Sequence, residues 1–141
     1  MHGGVEHAVD SDPSHQEYGN PLRIRLPLSH GVKVIIAHCA SLGNALYGSL
    51  VLPAVHPLNL VGGVCHHYCC SCRDLDNGGK TSVPCFELFM RMMREERWKD
   101  LLFGDISAVC LVSRMSCVKP LLDASWLHER LVNGTDYPLT K

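Results

Sequence analysis

Three polar side chains of types used in catalysis each follow an apolar, β-branched run. His38 follows "VKVIIA", Asp105 follows "LLFG", and Asp136 follows "RLVNGT". Imidazole and carboxylate groups at neighbouring strand ends can bind a divalent metal, which lowers the pKa of bound water toward about 7 and polarises a carbonyl group. The residues therefore predict a metal-assisted site containing His38 and Asp136. Asp105 is a weaker candidate, and His2 is a further one if a strand precedes it.

Each of these residues also has an ordinary structural interpretation. A buried histidine such as His38 can simply be hydrogen-bonded, and an N-terminal histidine such as His2 can be solvated. Asp105 can serve as a hydrogen-bonding residue at a strand end, and Asp136 as a turn cap. The functional interpretation is favoured for His38 and Asp136, because both follow apolar runs at expected strand ends.

The elements that would position these residues alternate between strands and helices. Residues 32–36 form a near-continuous apolar run, which is typical of a strand buried on both faces of a parallel sheet. Asn20 followed by Pro21 indicates a helix start, and Pro84 indicates another. A third helix, from about Met115 to Trp126, is a weaker expectation because Pro120 interrupts it.

The helix after Pro84 has a clear apolar face. Phe86, Phe89, Met90 and Met93 recur at helical spacing, which predicts a stripe that packs against the core.

Strands that alternate with helices predict βαβ units and a parallel sheet. The number of residues from His38 to Asp105 exceeds the number from Asp105 to Asp136 by about the length of one β/α unit. The surplus falls in residues 44–72, which have neither helical nor strand periodicity. We interpret that stretch as a poorly ordered insertion. Codons for Cys, His, Tyr and Ser can all be rich in pyrimidines, as is the end of an intron. The stretch therefore also fits a retained intron.

The segments "VKVIIAHCAS", "FGDISA" and "RLVNGTDYP" together resemble the metal-dependent amidohydrolase superfamily, in its amidohydrolase-2 or decarboxylase-like branch. The resemblance covers most of the chain outside residues 44–72. It implies an α/β fold in which residues 1–141 form a single partial TIM (β/α)8 barrel, roughly strands five to eight. The H-x-H pair of the family's first strand has no counterpart here, so the resemblance also allows a truncated and inactive chain.

The resemblance further implies a set of roles for the site. His2 would be the strand-five metal ligand, His38 the strand-six ligand, and Asp136 the strand-eight acid and general base. The cofactor would be a divalent metal, with zinc the expected ion. The reaction would be hydrolysis of a C–N or C–O bond, or decarboxylation, of a small organic substrate.

Two alternatives of other classes remain open. One is a non-catalytic barrel remnant that forms a homo-oligomer through an open sheet edge. The other is a small zinc-binding module on "CHHYCCSC", residues 65–72, where Cys69 and Cys72 form a C-x-x-C pair and Cys85 lies downstream. That cluster lacks the second pair that structural zinc sites commonly have.

Composition narrows the classes of partner. The chain has 141 residues, of which 46% are hydrophobic and 19% charged, with a net charge of -1 and a pI near 6.7. A near-neutral chain offers no basic surface for nucleic acid or an anionic membrane, so the expected partner is a small-molecule substrate or another protein. No secretory signal opens the sequence, and we therefore expect reduced thiols and a cytoplasmic location.

Overall fold

The structure, a computed structural model, describes residues 19–41 and 71–136. His2 and residues 44–70 of the predicted insertion lie outside these ranges. The described strands are β1 (Val34–Ile36), β2 (Ser71–Arg73), β3 (Ser82–Pro84), β4 (Leu102–Asp105) and β5 (Leu131–Val132). The described α-helices are α1 (Arg25–Ser29), α2 (Cys85–Met93) and α3 (Val118–Asp123). Short 3-10 segments include Pro21–Ile24, Glu96–Trp98, Val112–Cys117 and Ser125–Arg130.

The strands β1, β4 and β5 form one parallel sheet in that order. Val34 pairs with Leu102, and Gly104 pairs with Leu131. Because all three strands run the same way, their carboxyl ends meet at one edge. His38, Asp105 and Asp136 are thereby brought to that edge. The described sheet is open, and the barrel stays a prediction.

One face of this sheet is buried and the other is partly open. Val34, Ile36 and Leu102 are buried, with 0% exposure for Ile36 and Leu102. On the opposite face Ile35 is 47% exposed and Val132 37%. The expectation that the first strand is buried on both faces is therefore wrong. Strand burial depends on what packs against each face, and among the described residues the helices cover only one.

The helix α2 lies against the buried face and forms much of the core. Phe89, Met90 and Met93 are buried and Phe86 is partly buried, which confirms the predicted apolar stripe. A Cβ atom placed on Gly104 would lie 2.7 Å from the Phe89 ring. Only glycine allows the helix to approach β4 this closely.

The helix starts agree with their sequence signals. The Asn20 side chain accepts a hydrogen bond of 3.0 Å from the Leu22 backbone N–H and caps the 3-10 turn that leads into α1. Pro84 directly precedes α2. The predicted third helix is divided into shorter segments, and Pro120 lies in the first turn of α3, where a missing N–H is tolerated.

The strands β2 and β3 form a hairpin that we did not predict from the sequence. The two strands pair antiparallel, with Cys72 opposite Val83. A disulfide connects Cys72 to Cys85, whose Cα atoms lie 5.4 Å apart. The expectation of reduced thiols is therefore wrong for this pair. Ser71 and Cys72, the last two residues of the predicted insertion, belong to β2.

The hairpin is fastened to the helices by a network of charges. Both terminal guanidinium nitrogens of Arg25 contact the Asp76 carboxylate, and Nη2 lies 2.8 Å from Glu95 Oε1. Arg91 Nη1 lies 2.9 Å from Asp74 Oδ2.

In residues 19–41 and 71–136 no helix has the length and apolar character needed to cross a membrane.

Candidate functional site

His38 begins an unusual turn at the end of β1. The backbone φ angles of His38, Cys39 and Ala40 are 54°, 53° and 53°. This left-handed conformation costs about 1–2 kcal/mol for each L-residue, so the surroundings must hold it. The Ser41 N–H donates to the His38 carbonyl at 2.8 Å, and the Arg114 guanidinium donates to the Ser41 carbonyl.

Cys39 anchors this turn in the core. Its side chain is fully buried, and its Sγ donates to the backbone carbonyl of Asp105 at 3.4 Å. Burial, with a further contribution from the nearby Asp105 carboxylate, raises the pKa of Cys39 to about 12. The group is therefore a neutral thiol at physiological pH, and its role is structural.

Asp105 accepts hydrogen bonds with both carboxylate oxygens. Oδ1 accepts from the backbone N–H of Ser107 at 3.0 Å and from that of Gly134 at 2.8 Å. Oδ2 accepts from the Ser107 hydroxyl. Burial alone would raise the pKa of Asp105, but the hydrogen bonds from Ser107 and Gly134 outweigh it and the pKa lies below its ordinary value. Asp105 is therefore a charged structural acceptor that joins the ends of β4 and β5.

The His38 ring is held on its Nδ1 side by Ser107. Nδ1 lies 2.9 Å from the Ser107 carbonyl oxygen and 3.2 Å from its hydroxyl oxygen. A carbonyl oxygen only accepts, so Nδ1 carries the proton. In the neutral ring, Nε2 then presents a lone pair, as a metal-binding histidine does.

Asp136 lies on the Nε2 side of the same ring. Its Oδ1 is 3.7 Å from His38 Nε2, and its backbone φ is 51°. Aspartate tolerates this left-handed conformation better than most residues. The residues predicted from two separate strand ends are thus brought face to face, at a distance that one cation can span.

The described residues bring together two of the three predicted metal ligands, His38 and Asp136. Within residues 19–41 and 71–136 no group of three His, Cys, Asp or Glu side chains is arranged to hold a metal. His38 and Asp136 amount to two donors, whereas catalytic zinc usually has three protein ligands. The third predicted ligand, His2, lies outside the described residues. Asp105 faces Nδ1 of His38 at 4.0 Å, away from Nε2.

Sequence reasoning missed two contributors to this site, Ser107 and Gly134. An aspartate followed two residues later by a serine is a signal for a local side-chain to backbone turn, and Asp105 with Ser107 forms that contact. The contribution of Gly134 is a backbone N–H brought from another strand, and no residue type encodes it.

No protein-family model, no curated protein and no solved structure matches the chain.

Proposed function

We propose that this chain carries part of the active site of a metal-dependent hydrolase or decarboxylase of the amidohydrolase type, acting on a small organic substrate. The observation that carries the proposal is the 3.7 Å approach of His38 Nε2 to Asp136 Oδ1. The resemblance of "VKVIIAHCAS" and "GTDYP" to that superfamily agrees with the same two residues.

The chemistry of this pair is suited to a bound cation. Because Nδ1 of His38 faces a carbonyl oxygen, the neutral ring turns a lone pair toward a carboxylate. Two acceptors that face each other are stable only when a proton or a cation compensates their repulsion. Zinc bonds to nitrogen and oxygen of about 2.0–2.2 Å allow a separation of up to about 4 Å between two ligands. The observed distance lies within that limit.

The two residues have distinct roles in this proposal. His38 holds the ion through Nε2, and Asp136 provides an oxygen to it and accepts the proton of the attacking water. His2 is the proposed third ligand. A bound divalent cation would supply polarisation of the substrate carbonyl or carboxylate.

The proposal is tested by metal binding to the purified chain. We expect Zn²⁺ titrated calorimetrically to bind wild type at one equivalent and to bind at least tenfold more weakly to Asp136→Asn. Asparagine keeps the shape and tolerates the left-handed backbone, so the variant loses the negative charge and one ligand oxygen without a change of fold. Asp123→Asn is the matched control, because Asp123 is exposed and pairs with Lys119 at the surface.

Further variants separate the alternatives. A His38→Ala variant that binds zinc as well as wild type would overturn the proposal. If Cys69→Ala alone abolishes binding, the zinc-module hypothesis is favoured instead. The Cys72–Cys85 disulfide argues against that module, because it withdraws one thiol of the C-x-x-C pair. Metal-dependent turnover of a panel of chromogenic esters and anilides, lost in Asp136→Asn, is the expected activity.

A second candidate function is self-association of a non-catalytic remnant, and a specific surface favours it. A groove of about 590 Å³ lies beside Phe103 and Trp126, and Trp126 is 48% exposed. The groove is lined by equal numbers of basic and acidic side chains. The basic ones are Arg94, Lys99 and Arg130, and the acidic ones are Glu96, Asp100 and Glu129. A patch with both signs of charge can complement itself, as a two-fold interface requires.

The oligomeric state distinguishes this candidate. Light scattering after size-exclusion chromatography should give the mass of a dimer for wild type and of a monomer for Trp126→Ser. Leu122→Ser is the matched control, because Leu122 is 67% exposed and lies outside the groove. A monomeric wild type at high concentration would exclude self-association through this surface.

A further inference from the structure

We propose that Asp105 and Ser107 are positioning residues that hold the His38 ring in its Nδ1–H tautomer, with the Nε2 lone pair directed toward Asp136. The inference rests on the proposed function only for its consequence, the binding of a cation. The tautomer itself is a property of the chain and is measured without any metal.

The Nδ1 atom of His38 contacts the backbone of Ser107. The backbone carbonyl of Ser107 lies 2.9 Å from it, within ordinary hydrogen-bond distance. Ser107 and His38 are both buried, at 5% and 4% exposure, so this contact is shielded from competing water. The carbonyl oxygen has no proton to give, and it therefore selects the ring form that donates from Nδ1.

The Ser107 hydroxyl, taken alone, could either donate or accept a hydrogen bond. Its proton is directed to Oδ2 of Asp105. The oxygen that remains, 3.2 Å from Nδ1, can then act only as a second acceptor. The Asp105 carboxylate thereby prevents the hydroxyl from donating to the ring and favouring the opposite tautomer.

Asp105 also positions both partners of the site, His38 and Asp136. Oδ1 of Asp105 accepts from the Gly134 N–H at 2.8 Å, two residues before Asp136. The Asp105 carbonyl accepts from Cys39, the residue after His38. One side chain and its backbone thus connect the ends of β1, β4 and β5, and the tautomer of His38 is set together with the approach of Asp136.

The experiment is long-range ¹H–¹⁵N NMR of histidine-labelled, metal-free protein at a pH high enough to leave imidazole rings neutral. The His38 signals are identified by their loss in His38→Gln. We expect wild type to show the ¹⁵N chemical shift of a protonated nitrogen at Nδ1 and that of an unprotonated nitrogen at Nε2. In Asp105→Asn the fraction of His38 rings protonated at Nε2 should rise about fivefold. The reason is that the hydrogen bond from the Ser107 hydroxyl to a charged carboxylate is replaced by a weaker one to a neutral amide.

Controls keep the result interpretable. Asp123→Asn is a carboxylate-to-amide change at an exposed position and should leave the ring shifts at their wild-type values. If Asp105→Asn fails to fold, Ser107→Ala, which removes only one hydroxyl, should shift the tautomer in the same direction. A wild-type ring that carries its proton on Nε2, or variants with unchanged ring shifts, would overturn the inference. Wild-type Nδ1–H in a chain that binds no zinc would support the inference and refute only the proposed function.

Discussion

The backbone N–H of Gly134 donates a 2.8 Å hydrogen bond to Oδ1 of Asp105. The bond joins the loop after β5 to the end of β4, and the loop continues to Asp136. Because the same carboxylate also binds Ser107, the carboxyl ends of these strands are fastened by one buried side chain.

Loss of this carboxylate should destabilise the protein. In Asp105→Ala the N–H groups of Ser107 and Gly134 lose their acceptor in a largely buried place. We expect the free energy of unfolding to fall by about 3 kcal/mol. Urea denaturation measures it, with Asp123→Ala, at the surface, expected to cost less than about 1 kcal/mol. Equal losses in the two variants would contradict the role given to Asp105.

The left-handed turn at His38 predicts a stabilising substitution. Ala40 has a φ of 53°, which is costly for alanine, whereas glycine adopts it freely. After the greater entropy of glycine in the unfolded chain is subtracted, Ala40→Gly should stabilise the protein by about 0.5 kcal/mol. Ala124 is also buried but has a φ of -92°, so Ala124→Gly should destabilise by about 1 kcal/mol. Thermal unfolding of both variants checks the opposite signs.

The charge network of the hairpin predicts a pH dependence. Burial opposes ionisation of Glu95, but hydrogen bonds from Arg25 and Arg97 bring its pKa below the ordinary value. The hydrogen bond from Arg25 likewise lowers the pKa of Asp76. Carboxylates with lowered pKa values stabilise the folded state above their unfolded pKa values, and this contribution is lost as the pH falls through the folded ones.

We therefore expect wild type to lose stability from about pH 5 downward. In Arg25→Met this loss should be shallower, because the two carboxylates return toward their ordinary pKa values. At neutral pH the variant should be about 1 kcal/mol less stable, as is typical for a partly exposed ion-pair network. Denaturation series between pH 3 and 7 measure both effects. Parallel wild-type and variant profiles would rule out this coupling.

The cysteines should differ sharply in reactivity. Cys110 is exposed, whereas Cys39 and Cys117 are buried, and the pKa of Cys39 is about 12. The thiolate is the reactive form, so iodoacetamide should modify Cys110 at least tenfold faster than Cys39 in the folded protein. Peptide mass spectrometry resolves each site, and unfolding in urea should equalise the rates. Rapid labelling of Cys39 in the native chain would contradict its burial.

Local sequence signals predicted the elements well. The strands at residues 34–36 and 131–132 lie within predicted apolar runs, the strand at 102–105 extends one residue beyond the third, and Asn20 and Pro84 precede the helical segments. The hydrogen-bonding interpretation of Asp105 is confirmed. These features depend on periodicity, capping and turn chemistry, which act over a few residues.

Features that require distant contacts were not predictable in the same way. The exposure of Ile35 depends on which helices cover the sheet, and the Cys72–Cys85 disulfide depends on the pairing of β2 with β3. The signal for that hairpin was present in the turn residues "DNGG", Asp76 to Gly79. We expected reduced thiols because no secretory signal opens the sequence. That reasoning carries no information about the distance between two cysteine side chains.

The sequence by itself determined which side chains end the strands, because an apolar run and the polar residue that follows it are neighbours in the chain. Only the tertiary structure decided that His38 and Asp136 face each other at 3.7 Å, and that Ser107 holds the opposite nitrogen of the ring. The physical reason is that parallel pairing through β4 sets the register between strands distant in sequence. A left-handed turn and the hydrogen bonds of Asp105 then set the direction of each side chain.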